Sequence, residues 1–190
     1  MTTILFFGVL AAILLWGVGA YNGLVSLKNQ VKNGWTQIDV QLKRRHDLIP
    51  NLVNTVKGAM EYERGTMEAV INARAKAMGA QGVTATAEAE GQLTQALGKL
   101  FALMENYPDL KATKNVLQLQ EELTSTENRI GFSRQHYNDV ATEYNTKQQQ
   151  FPTNLVAGIA KATPADLWVI VDDQERAVPT VDLSTRPPGA

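Results

Sequence analysis

Polar and apolar positions divide the chain sharply near its start. From Ile4 to Ala20 (ILFFGVLAAILLWGVGA) there is no charged and no strongly polar side chain. Carried on through Tyr21 to Val25 as a helix, at about 1.5 Å per residue, this run just crosses a hydrocarbon core of roughly 30 Å. Trp16 and Tyr21 fall near its C-terminal end, where amphipathic rings favour the headgroup region. The pattern predicts a membrane-spanning anchor over 4–25, preceded by a short flank, 1–3. A cleaved signal peptide would want a basic leading region, and Met1-Thr2-Thr3 offers only its α-amine, although Val18-Gly19-Ala20 has the form of a cleavage site. A buried core helix is a poorer account of so long an uncharged run in a domain otherwise this polar.

Beyond the anchor, apolar residues recur at three- and four-residue steps: Leu24, Val31, Trp35, Ile38, Leu42, Ile49, Leu52 and Val56, with Lys28 and Arg45 interrupting the seam. The anchor is therefore expected to run on as one helix into the aqueous phase. Pro50 lacks a backbone donor, so a kink or break is expected near Asp47–Pro50, with helix resuming from Asn51 to about Met78. The small, aperiodic stretch Gly79–Ala87 reads as a loop, and Glu88–Asn106 as a further helix presenting Leu93, Leu97, Leu100, Phe101 and Met104 on one face. Tyr107-Pro108-Asp109 ends it.

The cleanest period follows. Val116, Leu123, Ile130, Tyr137, Tyr144 and Phe151 are spaced seven apart, interleaved with Leu119, Thr126, Ser133 and Val140. They form one stripe of a helix from about Leu110 to Gln149, roughly 60 Å long, whose natural partner is the helix leaving the membrane. Phe151-Pro152 stops it, and Thr153–Ala160 adds an amphipathic turn. Leu167-Trp168-Val169-Ile170-Val171 is β-prone but has no strand partner, so it docks on the bundle or on another chain; Asp172, Asp173, Pro179, Pro187 and Pro188 then punctuate a segment expected to be mostly disordered. The fold class is all-α: an N-terminal transmembrane helix continuing into an elongated antiparallel bundle of long helices over 26–160, with a short β-prone, mostly disordered tail at 161–190.

Composition changes this picture little. With 18 Lys+Arg against 19 Asp+Glu, nothing draws the chain to nucleic acid. Cysteine is absent, which removes disulfides, thiolate metal sites and a cysteine nucleophile. The basic residues Lys28, Lys32, Lys43, Arg44 and Arg45 all follow the span and none precedes it, which places the larger part on the cytoplasmic side with the N-terminus outside.

Three polar clusters are candidates for chemistry. They are Arg44-Arg45-His46-Asp47 with Asn51; Glu127-Asn128-Arg129 with Arg134; and Tyr137-Asn138, echoed seven residues on by Tyr144-Asn145. As a functional set they would supply acid–base groups or an anion site. As a structural set, Arg45 on the seam pairs with Glu122 or Glu127 of a neighbouring helix and fixes register. With no nucleophile, phosphate loop or metal-ligand spacing nearby, the structural reading is favoured, and no cofactor or metal is expected. His46 and His136 read as ordinary solvated side chains. The Tyr137/Tyr144/Phe151 stripe reads as core, with its hydroxyls finding partners among neighbouring Asn and Arg. Within the span, Gly8, Ala12, Gly19 and Gly23 share a helix face of the small-residue kind that favours self-association.

On several of these stretches the chain resembles the LemA family. They are Trp35 with Arg44-Arg45-His46-Asp47-Leu48-Ile49-Pro50-Asn51-Leu52-Val53; Tyr107-Pro108-Asp109-Leu110-Lys111-Ala112; Leu119-Gln120-Glu121-Glu122-Leu123 through Glu127-Asn128-Arg129-Ile130; and Arg134, Tyr137-Asn138 and Tyr144-Asn145 up to Phe151-Pro152-Thr153-Asn154-Leu155-Val156-Ala157. After Lys161 the sequence departs from the pattern: Pro164–Val171 and a Pro-rich tail stand where the family usually ends in proline, an aromatic and an acid. The resemblance implies a single-span protein of the bacterial inner membrane, an antiparallel bundle of long helices and no catalytic residues. A relative takes part in building magnetosome membranes, which implies a membrane-organising role. The expectation is a non-enzymatic, membrane-anchored scaffold that forms homo-oligomers, with the lipid bilayer and other membrane proteins as partners. The alternative is a sensor or adaptor that binds an anionic ligand or a partner helix through the Arg and Glu clusters.

Overall fold

A single helix of 55 residues, α1 (Thr2–Val56), opens the structure, a computed structural model that describes residues 1–169. At 1.5 Å per residue it is about 80 Å long. Among the described residues no side chain from Met1 to Gly23 is buried, and the helix is long and apolar enough there to cross a membrane. From Leu24 onward one stripe turns inward: Leu24, Leu27, Gly34, Ile38, Leu42, Arg45, Ile49, Leu52 and Val56. Lys28, at an expected seam position, faces solvent, whereas Arg45 is buried.

The other helices are α2 (Arg64–Gly79), reached through a 3-10 turn at Glu61–Glu63, α3 (Val83–Met104), α4 (Pro108–Lys111), α5 (Lys114–Gln149) and α6 (Thr153–Ile159). Among the described residues the chain is all-helical, with no strand. α5, 36 residues long, runs back along α1. Arg44 and Arg45 of α1 lie beside Glu122 and Glu127, Gly34 lies beside Tyr137, and Leu24 and Leu27 lie beside Tyr144, so the two helices are antiparallel. At Gly34 a Cβ would stand 3.4 Å from the Cα of Tyr137, so the absent side chain is what lets the helices approach here.

Three apolar clusters follow one another along this pair. Farthest from the N-terminal run, Ile49, Leu52 and Val56 pack with Val70 of α2, Leu93, Leu97 and Leu100 of α3, and Val116 and Leu123 of α5. The middle cluster holds Ile38, Leu42, Ala87, Ile130, Tyr137 and Trp168. Nearest the apolar run, Leu24 and Leu27 meet Tyr144 and Ala157 of α6. The stripe of α5 is as expected over Val116, Leu123, Thr126, Ile130, Tyr137, Val140 and Tyr144, but Phe151 leaves it and is 79% exposed, because the chain turns at Gln150 before reaching it.

Two expected boundaries move. The break falls at 57–63, not at Pro50, which lies inside α1. Proline at 50 leaves the carbonyl of His46 without its helical donor. The guanidinium of Arg74, on α2, donates its Nε–H to that carbonyl at 2.7 Å. The helix continues through the proline because a side chain 28 residues away replaces the lost bond, and it ends instead near Gly58, where the turn delivers Met60 into the core with no exposed surface. The loop expected over 79–87 shrinks to 80–82, and α3 begins at Val83. Gly82 (φ 83°) sits in the left-handed region that suits glycine, and its carbonyl accepts bonds from the amide and the hydroxyl of Thr86.

This account of Pro50 has a thermodynamic signature. Arg74→Met is expected to destabilise the chain by about 1–3 kcal/mol, the cost of an unpaired, partly buried carbonyl. In a Pro50→Ala background, where a backbone N–H is restored, the same substitution is expected to cost under about 1 kcal/mol. Chemical denaturation of the four variants measures the coupling, and equal costs in both backgrounds would refute the account.

Candidate functional site

The polar clusters foreseen in the sequence are divided by the structure into a buried ion network and a clamp. Arg45 is 4% exposed, on the inward stripe of α1. Its Nη1 donates to Oε2 of Glu90 at 3.1 Å; its Nη2 donates to the hydroxyl of Thr94 at 2.8 Å and lies 3.2 Å from Oε2 of Glu127. His46 Nε2 lies 2.7 Å from the other oxygen of Glu90. The Thr94 hydroxyl in turn donates to the carbonyl of Glu90 at 3.0 Å. Three helices, α1, α3 and α5, are thus tied at one level through the Arg45 guanidinium, which holds Glu90 of α3, itself 3% exposed, on one side and Glu127 of α5 on the other.

Of the expected partners of Arg45, Glu127 is engaged and Glu122 is not; Glu122 faces Arg44 at 3.9 Å in a solvent-exposed pair. The solvated reading of His46 is overturned, since the ring is buried against Glu90. His136 is exposed. Asp47, Asn51, Asn128 and Arg129 also face solvent and are not drawn into the network. Glu90 and Thr94 are the residues the sequence reading missed. The signal was present, because Glu90 occupies the seam of α3 in the series Glu90, Leu93, Leu97, Leu100, Met104, spaced three and four apart.

The clamp is built by the seven-residue echo. Asn138 donates Nδ2–H to the carbonyl of Trp168 (2.9 Å) and accepts the Trp168 amide at Oδ1 (2.8 Å). Asn145 does the same for Ala165, at 2.8 Å each way. Tyr137 adds a bond from its hydroxyl to the carbonyl of Asp166 at 2.7 Å. Seven residues of α5 span about 10 Å, and three residues cover that distance only when nearly fully extended. The segment after α6 therefore runs as an extended ribbon along α5 without pairing to any strand. Trp168, 4% exposed, anchors it, lying against Trp35 with ring centroids 6.0 Å apart and under the Arg134 guanidinium at 5.7 Å. The docking expected for this β-prone stretch is thus onto the chain's own helices, while Ile170, Val171, Asp172, Asp173, Pro179, Pro187 and Pro188 lie outside the described residues.

The Tyr137 hydroxyl is pushed above the ordinary tyrosine range by burial and by the nearby Asp166 carboxylate, and burial also raises Tyr144. Tyr144 Oη has no hydrogen-bond partner among the described residues, contrary to the expectation that neighbouring Asn or Arg would supply one. No group of three or more His, Cys, Asp or Glu side chains comes together as a metal site among those residues. In the apolar half of α1, a Cβ added at Gly8, Gly19 or Gly23 would meet nothing among the described residues within 4 Å, and Ala12 on the same face is exposed.

Comparison with known proteins gives a consistent result. The family model for the LemA family matches residues 34–183. The match runs past Lys161 as far as residue 183, so Pro164–Val171, expected to depart from the family pattern, falls within it. Protein LemA of Metamycoplasma hominis is 30% identical over 169 residues, covering 88% of this chain and 75% of that protein. Magnetosome protein MamQ 2 of Paramagnetospirillum magneticum is 26% identical and magnetosome protein MamQ of Magnetospirillum gryphiswaldense is 24% identical, each over 165 residues that cover 73% of this chain and 61% of the relative.

Proposed function

Given that the chain belongs to the LemA family, we propose that it is a non-enzymatic helical scaffold held in a bacterial inner membrane by one span. In this reading the long helices form an antiparallel bundle on the cytoplasmic side. Copies associate and organise the bilayer around them, with lipid and other membrane proteins as partners. The observation that carries the reading is the division of α1: an apolar run that nothing among the described residues covers, joined without a break to a stretch buried by the other helices. A helix continuous across that boundary transmits position and tilt between membrane and body, whereas a flexible tether would not. The uncovered face of Gly8, Ala12, Gly19 and Gly23 is where spans of neighbouring copies would approach. That relatives carry the name of magnetosome proteins agrees with a membrane-organising role.

The adaptor reading has less behind it. Arg45, the strongest candidate for an anionic ligand, already spends its donors on Glu90, Thr94 and Glu127, and Asn138 is occupied by the main chain of Trp168. The test is native mass measurement of the full-length protein in nanodiscs beside a Gly19→Leu/Gly23→Leu variant. A discrete assembly weakened by the variant is the expected result. An assembly indifferent to the variant would move the contact out of the span, and a monomer in both would end the self-association reading.

A further inference from the structure

We propose that α6 is a second membrane contact, a short helix lying on the bilayer surface beside the point where α1 emerges; the inference rests on the reading of α1 as a membrane span. α6 buries Thr153 and Ala157, and Ala157 with the half-buried Val156 packs against Leu24 and Leu27 of α1 and Tyr144 of α5. Its opposite face carries Leu155 and Ile159, four residues apart and 62% and 82% exposed, and Phe151, in the turn that precedes the helix, is 79% exposed. Large apolar side chains at this spacing and exposure form a stripe that no other part of the described chain covers.

What covers the stripe follows from its height. The apolar run of α1 ends at about Val25, and α6 packs on Leu24 and Leu27, within a single helical turn of about 5 Å along the axis. The headgroup layer on either side of the hydrocarbon is about 5–8 Å deep, so a helix fixed at that level lies within it. Tyr21, exposed on α1 and about 6 Å from Val25 along the axis, marks the same boundary. Exposed charges of both signs lie near this level, as suits a polar headgroup layer: Lys28 and Lys32 of α1, Lys147 near the end of α5 and Lys161 just after α6, beside Asp139 and Glu143 of α5 and Asp166 of the ribbon. The end of α6 is also fixed in place. Lys161 turns the chain with a left-handed φ of 47°, and the amides of Lys161 and Ala162 bond back to the carbonyls of Gly158 and Ala157, closing the helix in a Schellman motif before the clamped ribbon begins. Held between that ribbon and α5, α6 has a set height and a set outward face.

The chain has no cysteine, so single-cysteine variants take a fluorophore at one place only. Leu155→Cys, Ile159→Cys, Phe132→Cys and Leu10→Cys are labelled with an environment-sensitive dye in the full-length protein. They are then reconstituted in nanodiscs of phosphatidylcholine with phosphatidylglycerol. Phe132 is an apolar control, 73% exposed but about 18 Å farther along α5 from Tyr144. The expected result is severalfold stronger quenching by headgroup-proximal spin-labelled lipid at 155 and 159 than at 132, with aqueous iodide showing the reverse order, and quenching at 10 by lipid labelled deep in the chain. Iodide access at 155 and 159 equal to that at 132, while 10 responds to deep lipid, would overturn the proposal and leave the span standing. Shielding at 155 and 159 from both iodide and lipid would overturn it in favour of a protein neighbour. A label at 10 that responds to no lipid would overturn the span reading and the proposal with it.

Discussion

Arg45→Leu is expected to lower stability by about 3–5 kcal/mol, the range for removing one partner of a buried ion pair. The cost arises less from the lost attraction than from what stays behind. Glu90 remains 3% exposed, with the His46 ring as its one remaining side-chain partner in the network, so its charge stays poorly solvated. Glu127 is affected far less, because its carboxylate is 38% exposed and returns to solvent. The two carboxylates should therefore respond unequally. Glu90→Gln should cost about 1–2 kcal/mol, as hydrogen bonds to charged groups do, because the amide still fills the space and Arg45 keeps Glu127 and Thr94. Arg45→Leu/Glu90→Leu should recover most of the loss, since an apolar pair of similar volume removes both desolvation costs. Thermal unfolding followed by circular dichroism in one detergent measures all three. For a chain of this size the single Arg45 variant should melt about 6–20 °C lower. A double variant no more stable than Arg45→Leu would show that the network is held by packing and not by charge.

Residues such as Glu90 show how far the sequence could be read. The seam of α1 and the seven-residue period of α5 are local patterns, visible without knowing any partner, and the structure places both on buried faces. Glu90 breaks the seam of α3 as visibly as Arg45 breaks that of α1, but pairing them requires knowing that α3 packs at that level of α1, and no local pattern carries that information. Pro50 failed for a related reason. The rule that proline ends a helix is a rule about local hydrogen bonds, and the donor that rescues His46 comes from Arg74 on another helix. At 83–87 the composition read as a loop, yet Ala85 and Ala87 favour helix intrinsically, and Ala87 gains burial against Ile38 and Ile130. His46 was read as solvated from its charged neighbours along the chain, although what decides its environment is the helix across from it.

The clamp gives the second large effect. Trp168→Ala would cost about 3–5 kcal/mol in a core that had to keep the cavity. Here the ribbon is tied mainly through Asn138, Asn145, Tyr137 and the Trp168 ring, so the loss is limited to whatever free energy holds it down. The expected outcome is release of the ribbon with α1 and α5 still paired. The amides of Ala165 and Trp168, each held by an asparagine Oδ1, should lose about a hundredfold of their exchange protection, equivalent to about 3 kcal/mol at 1.4 kcal/mol per decade. Amides in the middle of α5, around Ile130, should keep theirs. Cleavage after Lys161 by trypsin should accelerate in parallel, because an extended exposed backbone is what a protease binds. Asn138→Ala and Asn145→Ala should each produce a smaller version of the same change, since each removes a pair of hydrogen bonds worth roughly 1 kcal/mol apiece. If Trp168→Ala instead lowers protection equally at Ile130, the ribbon is an integral layer of the core. The middle cluster would then need Trp168 as the covering that α2 and α3 supply to the cluster beyond it, and the seven-residue asparagine echo would belong to the folding of the body and not to a detachable strap.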